Sequence, residues 1–166
     1  TSTSGNLKAG SYSGIQSVSG ALSGTDAANY TFAGATANYA VTQRTLTGSI
    51  GTGASYFSDT LVPGTLTLSN TITNDLVSGS VSVNTSSTLN GYPVIDSYTQ
   101  TASSILSGAD AGNYTFAGTT TSSKNYAVNY PDTSVSPLTL TSAQMPVITS
   151  NSIAQFTPAQ LQLLSA

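Results

Sequence analysis

A chain of 166 residues with a 38% hydrophobic share can bury the core of one or two domains, yet only 5% of its residues are charged, against about a quarter in ordinary soluble proteins. The net charge is −3, and the only cations, Lys8, Arg44 and Lys124, are scattered, which leaves no basic patch for nucleic acid or anionic lipid. Glu, His, Cys and Trp are absent, so disulfide frameworks, soft-metal sites and Ser–His or Cys–His nucleophile pairs are excluded.

Solubility must come from hydroxyls and amides, and Ser and Thr fill about a third of the chain, far above ordinary usage. No apolar run approaches the ~20 residues of a membrane helix, so membrane insertion is not expected. The chain carries no signal peptide and begins with Thr1. It reads as a mature fragment or a segment of something longer.

Taken in order, Thr1 to Gly20 is small and polar, with Tyr12, Ile15 and Val18 as its bulky anchors. Leu22 to Gly34 reads LSGTDAANYTFAG. Gly24 permits positive φ, and Asp26 and Asn29 can cap nearby amides to build a turn. Tyr30-Thr31-Phe32 alternates large, hydroxyl, large, the period of a half-buried strand. Asn38 to Val41 and Thr45 to Ile50 continue as strands. Pro63-Gly64 is a turn signal that places glycine at positive φ. Thr65 to Ser69 alternates strictly, with Leu66 and Leu68 on one face. Asn74-Asp75 turns again, and Val81 and Val83 alternate with serines. Asn90-Gly91 is the strongest hairpin dipeptide in the chain.

Leu106 to Gly118 then reads LSGADAGNYTFAG and differs from Leu22–Gly34 at two positions, Thr25 against Ala109 and Ala28 against Gly112. From Asp26 to Asp110 the offset is 84 residues. The match resumes at Asn38–Val41 and Asn125–Val128, and Ala9–Tyr12 parallels Ile95–Tyr98 upstream. Duplication predicts a structural clasp in each copy: Gly24, Asp26 and Asn29, or Gly108, Asp110 and Asn113, shape the turn. Tyr30 and Phe32, or Tyr114 and Phe116, fill the core. A repeat unit must first bury its own apolar face, which favours this reading over a ligand site.

After the second copy, Tyr126, Val128 and Tyr130 share a strand face, and Pro137 to Thr141 mirrors the Arg44–Thr47 exit of the first. The chain therefore divides into the second half of a first repeat unit (1–44), a complete second unit (45–137) and a C-terminal tail (138–166). In the tail, Pro146 to Thr149 is strand-like. Thr157 as N-cap, Pro158 as first helical residue and Gln160 predict a short helix over 158–165. The fold class is all-β, with β-sandwich or β-grasp-like units and one short C-terminal helix. A β-solenoid would need a much shorter period.

LSGxDAxNYTF followed by NYAV and an LT exit resembles the YDG/MBG-type repeats of large secreted bacterial surface proteins, the filamentous-haemagglutinin-like adhesins of two-partner secretion. The Ala9–Tyr12 segment is similar to that family's lead-in. The likeness covers about Ala9 to Leu140. Where the second unit opens, Ser55-Tyr56-Phe57-Ser58-Asp59 stands in place of a YDG triplet. The resemblance implies a secreted, non-enzymatic repeat of an adhesin or extracellular fibre, at the bacterial surface, with no catalytic residue.

Weaker chemistries can be placed. Calcium is the one cofactor with conceivable ligands, Asp26 with Asn29 and Asp110 with Asn113, but each motif offers a single carboxylate. Tyr92, Tyr98 and Tyr130 are the candidates for stacking on a host or matrix glycan. The incomplete first unit leaves strand edges and an apolar face uncovered. The expected partner is another copy, adding head to tail into a filament. Val147, Ile148, Phe156, Leu161 and Leu164 of the tail are the expected assembly residues, completing the first unit of a neighbour or of their own chain.

Overall fold

A computed structural model describes residues 1–131, 140–148, 150–154, 156–158 and 161. Strands account for 41% and helical turns for 9%, with no helix of seven residues or more among the described residues, so the fold is all-β. In chain order the strands are β1 (Gly10–Val18), β2 (Ala35–Val41), β3 (Arg44–Ile50), β4 (Gly53–Tyr56), β5 (Leu66–Ser69), β6 (Ser78–Val83) and β7 (Thr88–Leu89). They continue as β8 (Tyr92–Pro93), β9 (Ser97–Tyr98), β10 (Gln100–Ser107), β11 (Tyr114–Phe116), β12 (Thr119–Thr120) and β13 (Tyr126–Asn129).

The chain forms two compact units, and they interleave along the sequence. The first gathers Thr1–Leu46, Asn70–Ser78 and Leu106–Phe116, and the second gathers Thr47–Ser69, Gly79–Ile105 and Ala117–Ala166. Strand pairing is the reason. Strand β11 runs parallel to the start of β3, with Tyr114 opposite Arg44 and Phe116 opposite Leu46, so the second clasp folds with the exit of the first repeat.

In the first unit, β1 and β2 form an antiparallel ribbon, Gly10 opposite Val41 and Val18 opposite Ala35, with an irregularity between Tyr12 and Gln16. Gly14 lies there at φ 64°, and the Asn38 Oδ1 accepts its N–H at 3.0 Å. The ribbon is exposed along almost its whole length. The buried apolar residues of this unit are Leu46, Tyr114 and Phe116.

In the second unit, β4 and β9 flank β13, β4 in parallel and β9 antiparallel. Phe57, Tyr98, Tyr126 and Val128 form the core there, and Leu61, Val83, Val94, Ile95 and Val147 pack against it. The second half of β3 pairs antiparallel with β5, Ile50 opposite Leu66. Strand β10 lies between β6 and β12. Hydroxyls and amides link neighbouring strands there: Thr101 with Thr120 at 2.9 Å, Ser80 with Ser103 at 3.4 Å, and the Asn84 amide with the Thr99 and Thr101 hydroxyls at 2.9 Å. Strands β7 and β8 are joined by Asn90 (φ 52°) and Gly91 (φ 84°), the two left-handed residues that the Asn-Gly pair predicts.

One glycine is used differently from expectation. Gly64 is absent from the positive-φ residues. A side chain there would run into the Gly51 carbonyl, and its N–H donates to the buried Gln100 Oε1 at 2.6 Å. Gln100 returns Nε2 to the Gly51 carbonyl at 3.0 Å and to Asn125 Oδ1 at 2.9 Å. The glycine provides space for a close backbone approach.

In the tail, Pro146 and Val147 of the strand expected over Pro146–Thr149 lie instead in a 3-10 turn, Met145–Val147, and Thr149 is outside the described residues. Pro146 has no N–H to give a ladder, and the Thr141 N–H donates to Gln144 Oε1 at 2.8 Å, closing the turn from its start. A single turn of helix, α1, follows at Ser150–Ile153. Of the helix expected over 158–165, Pro158 and Leu161 are helical, and the Leu161 N–H reaches the Thr157 carbonyl at 3.0 Å. Its other positions, Leu164 among them, lie outside the described residues.

Candidate functional site

The duplicated stretch gives the same backbone twice. Each copy has a 3-10 turn, Ala27–Asn29 and Ala111–Asn113, preceded by Asp26 (φ −101°, ψ 8°) and Asp110 (φ −110°, ψ 5°). Each turn is followed by an extended tyrosine, Tyr30 (−129°, 153°) and Tyr114 (−129°, 156°). Gly24 and Gly108 lie at φ 119° and 106°, and Gly34 and Gly118 at 85° and 81°. A Cβ on Gly34 would approach the Val18 carbonyl to 2.9 Å, and one on Gly118 the Ala102 carbonyl to the same distance. The local sequence alone fixes this shape. Neither aspartate caps its own turn, contrary to expectation.

The surroundings differ. In the second copy Asp110 is 1% exposed, and both of its oxygens accept from distant backbone. Thr3 donates its N–H to Oδ1 at 3.0 Å and Leu76 donates to Oδ2 at 2.8 Å. The Asp110 N–H donates in return to the Leu76 carbonyl at 3.1 Å. Asn113 Oδ1 accepts the Ala9 N–H at 2.9 Å. The Tyr114 hydroxyl donates to Asp75 Oδ2 at 2.6 Å and accepts the Ile72 N–H at 3.0 Å. The second clasp is thus closed by Thr3–Ala9 and by the loop Ile72–Leu76.

Titration follows the contacts. The hydroxyl of Thr3, then the N–H groups of Leu76 and Thr3, hold the Asp110 carboxyl below its ordinary value, against desolvation and the nearby Asp75 charge. The Ser4 and Tyr114 side chains lower Asp75. Desolvation, then the bond to Asp75, raises the Tyr114 phenol.

In the first copy the same groups face solvent. Tyr30 is 70% and Phe32 41% exposed, where Tyr114 and Phe116 are 3% and 7%. Tyr30-Thr31-Phe32 joins no strand ladder. The expected core role therefore holds for the second copy and not for the first. The physical reason is a missing cover: a side chain on Gly24 would meet nothing, whereas one on Gly108 would strike the Leu76 carbonyl. An open cleft of about 610 Å³ remains, lined by Leu22–Ala27 and Tyr30–Phe32.

The other candidates separate as follows. Among the described residues no three acidic, histidine or cysteine side chains group to hold a metal, and the Asp110 and Asn113 oxygens are already met by N–H donors. Tyr98 is 4% exposed and donates to the Val94 carbonyl at 2.6 Å, so it is a core residue and not a stacking platform. Tyr92 and Tyr130 are partly exposed, and Tyr92 packs edge-on against Phe57 with ring centres 5.9 Å apart. Val147 packs on the second unit's core and Phe156 is buried, while Ile148 is half-buried and Leu161 exposed. Lys124 forms an exposed ion pair with Asp96 at 3.2 Å. No helix among the described residues is long and apolar enough to cross a membrane.

Sequence reasoning missed the partners of the clasp. Asn74-Asp75 read only as a turn, although an aspartate beside an apolar pair, Leu76-Val77, was a signal that its carboxylate had a task. No family model matches the chain, and comparison with curated proteins and with solved structures finds no match.

Proposed function

We propose that this chain is a non-catalytic structural repeat of a secreted bacterial surface adhesin or extracellular fibre, which associates with further copies of the same repeat. One observation carries the reading: two clasps of nearly the same sequence and backbone, one closed from within the chain and one open. A preformed but uncovered apolar turn is what a serially repeated module leaves at its end. The composition supports an extracellular setting, since hydroxyl pairs take the place of charges and cysteine is absent. The lack of His and Cys, together with carboxylates already engaged at Asp75, Asp96 and Asp110, supports a non-enzymatic role.

Sedimentation across a wide concentration range, with negative-stain microscopy of the concentrated sample, tests it. Mass rising with concentration and linear particles are expected, and a strict monomer throughout overturns the reading. A second reading, glycan binding, draws on the exposed faces of Tyr92 and Tyr130. A glycan array with Tyr92→Ala and Tyr130→Ala variants tests that, expecting a signal that both variants lose.

A further inference from the structure

We infer that the first-copy clasp is a docking site for a loop of the Ile72–Leu76 type presented by another copy of this repeat. The inference rests on the repeat reading and adds the site and the chemistry of its occupant. The second copy supplies the template. There the loop makes four polar contacts: the Ile72 N–H to the tyrosine hydroxyl, that hydroxyl to the Asp75 carboxylate, the Leu76 N–H to the aspartate carboxylate, and the aspartate N–H to the Leu76 carbonyl. The receptor groups are one tyrosine, one aspartate and its own amide, set by a 3-10 turn.

Asp26 and Tyr30 carry the same groups on a backbone whose dihedrals agree within about ten degrees, inside the spread of any regular conformation. Gly24 keeps the space that at Gly108 admits the loop carbonyl. The cleft beside it is lined by Leu22, Tyr30 and Phe32, so an apolar residue on each side of the acid, as Ile72 and Leu76 flank Asp75, finds apolar wall. The occupant is therefore an apolar-x-x-Asp-apolar loop with free backbone amides at its first and last positions. Because the receptor needs no rearrangement, binding avoids the ordering cost that a flexible site carries.

The test is an NMR titration of the isotope-labelled 166-residue chain with an unlabelled synthetic peptide spanning Leu68 to Gly79. Expected are saturable shifts confined to Gly24–Phe32. Tyr30→Phe in the protein, or Asp75→Ala in the peptide, weakens binding about tenfold or more, the effect of losing a charge-assisted bond. Tyr30 and Asp26 are exposed, so their variants keep the fold, which a thermal melt verifies. No shifts at millimolar peptide, or shifts centred on Gly108–Phe116, overturn the inference. Peptide binding at Asp26 by a chain that stays monomeric upholds the site and defeats the self-assembly reading. Self-association that Asp26→Ala and Tyr30→Phe leave untouched does the reverse.

Discussion

Tyr30 and Tyr114 are the same residue of the same motif, and their chemistry differs through their neighbours alone. Tyr114→Phe removes a hydroxyl that bridges the Asp75 carboxylate and the Ile72 N–H, and a loss of about 1–2 kcal/mol is expected in denaturant titration. Tyr30→Phe, at a site 70% exposed, is expected to stay within about 0.5 kcal/mol of wild type. Gln100 is the other decisive residue. Its amide satisfies the Gly64 N–H, the Gly51 carbonyl and Asn125 Oδ1. Gln100→Leu takes the partner from the Gly64 N–H and Asn125 Oδ1, while the Gly51 carbonyl keeps the Asn125 Nδ2 donor at 3.2 Å, so a loss of roughly 2 kcal/mol or more is expected from urea unfolding.

At the scale of elements, the fold depends on close approaches that small residues permit. The β3–β4 turn and the segment before β5 meet where Gly64 lies against Gly51, and β4 meets β13 where Gly53 lies against the Tyr126 ring. Gly64→Ala forces a methyl into the Gly51 carbonyl. It is expected to cost about 3 kcal/mol or more, or to abolish soluble expression, since overpacking against backbone cannot relax through a rotamer. The β7–β8 hairpin depends on Asn90 in the left-handed region. Asn90→Val, a β-branched residue at positive φ, is expected to lose ~1 kcal/mol, while Asn90→Gly keeps the turn. Thermal melts of the pair separate turn strain from loss of the side chain.

For the whole molecule, charge is so sparse that ordinary electrostatics contributes little. The one ion pair among the described residues, Lys124 with Asp96, is more than half exposed on both sides, and such pairs add little. Melting is expected to be almost independent of salt. Acid is different. Asp75 and Asp110 have folded values depressed below the ordinary 3.8, so their stabilising effect is present above that value and is lost as pH falls through the depressed one. The Tyr114 value is raised above 10.0, so its contribution is lost as pH climbs past the raised value. The clasp that closes on Thr3–Ala9 and Ile72–Leu76 is expected to loosen at both extremes. Tyr114 ring and Leu76 amide resonances, followed by NMR in steps down from neutrality, report the acid limb; an Asp110→Asn variant, which has no carboxyl to titrate there, is expected to respond less to acid, and loosening at the same pH as wild type counts against a part for Asp110.

The sequence by itself determined the local shapes. The two copies form one turn in both places, because the φ of Gly24 and Gly108 and backbone bonds such as the Asn29 N–H to the Asp26 carbonyl and the Asn113 N–H to the Asp110 carbonyl act within a few residues. Alternation in Leu66–Ser69, the Asn90-Gly91 turn and the all-β character were legible on the same grounds. Which copy is buried was not legible, since Tyr30 and Tyr114 sit in nearly identical strings. That was decided by long-range pairing: β11 against β3, and amides of Thr3, Ile72 and Leu76 that reach Asp110 and Tyr114 from as far as 107 residues away. Such contacts exchange backbone hydrogen bonds, which carry no side-chain signature in sequence. The same reason hid Gln100 and the space-filling role of Gly64, and it left the open clasp at Asp26 and Tyr30 visible only once its closed counterpart could be laid beside it.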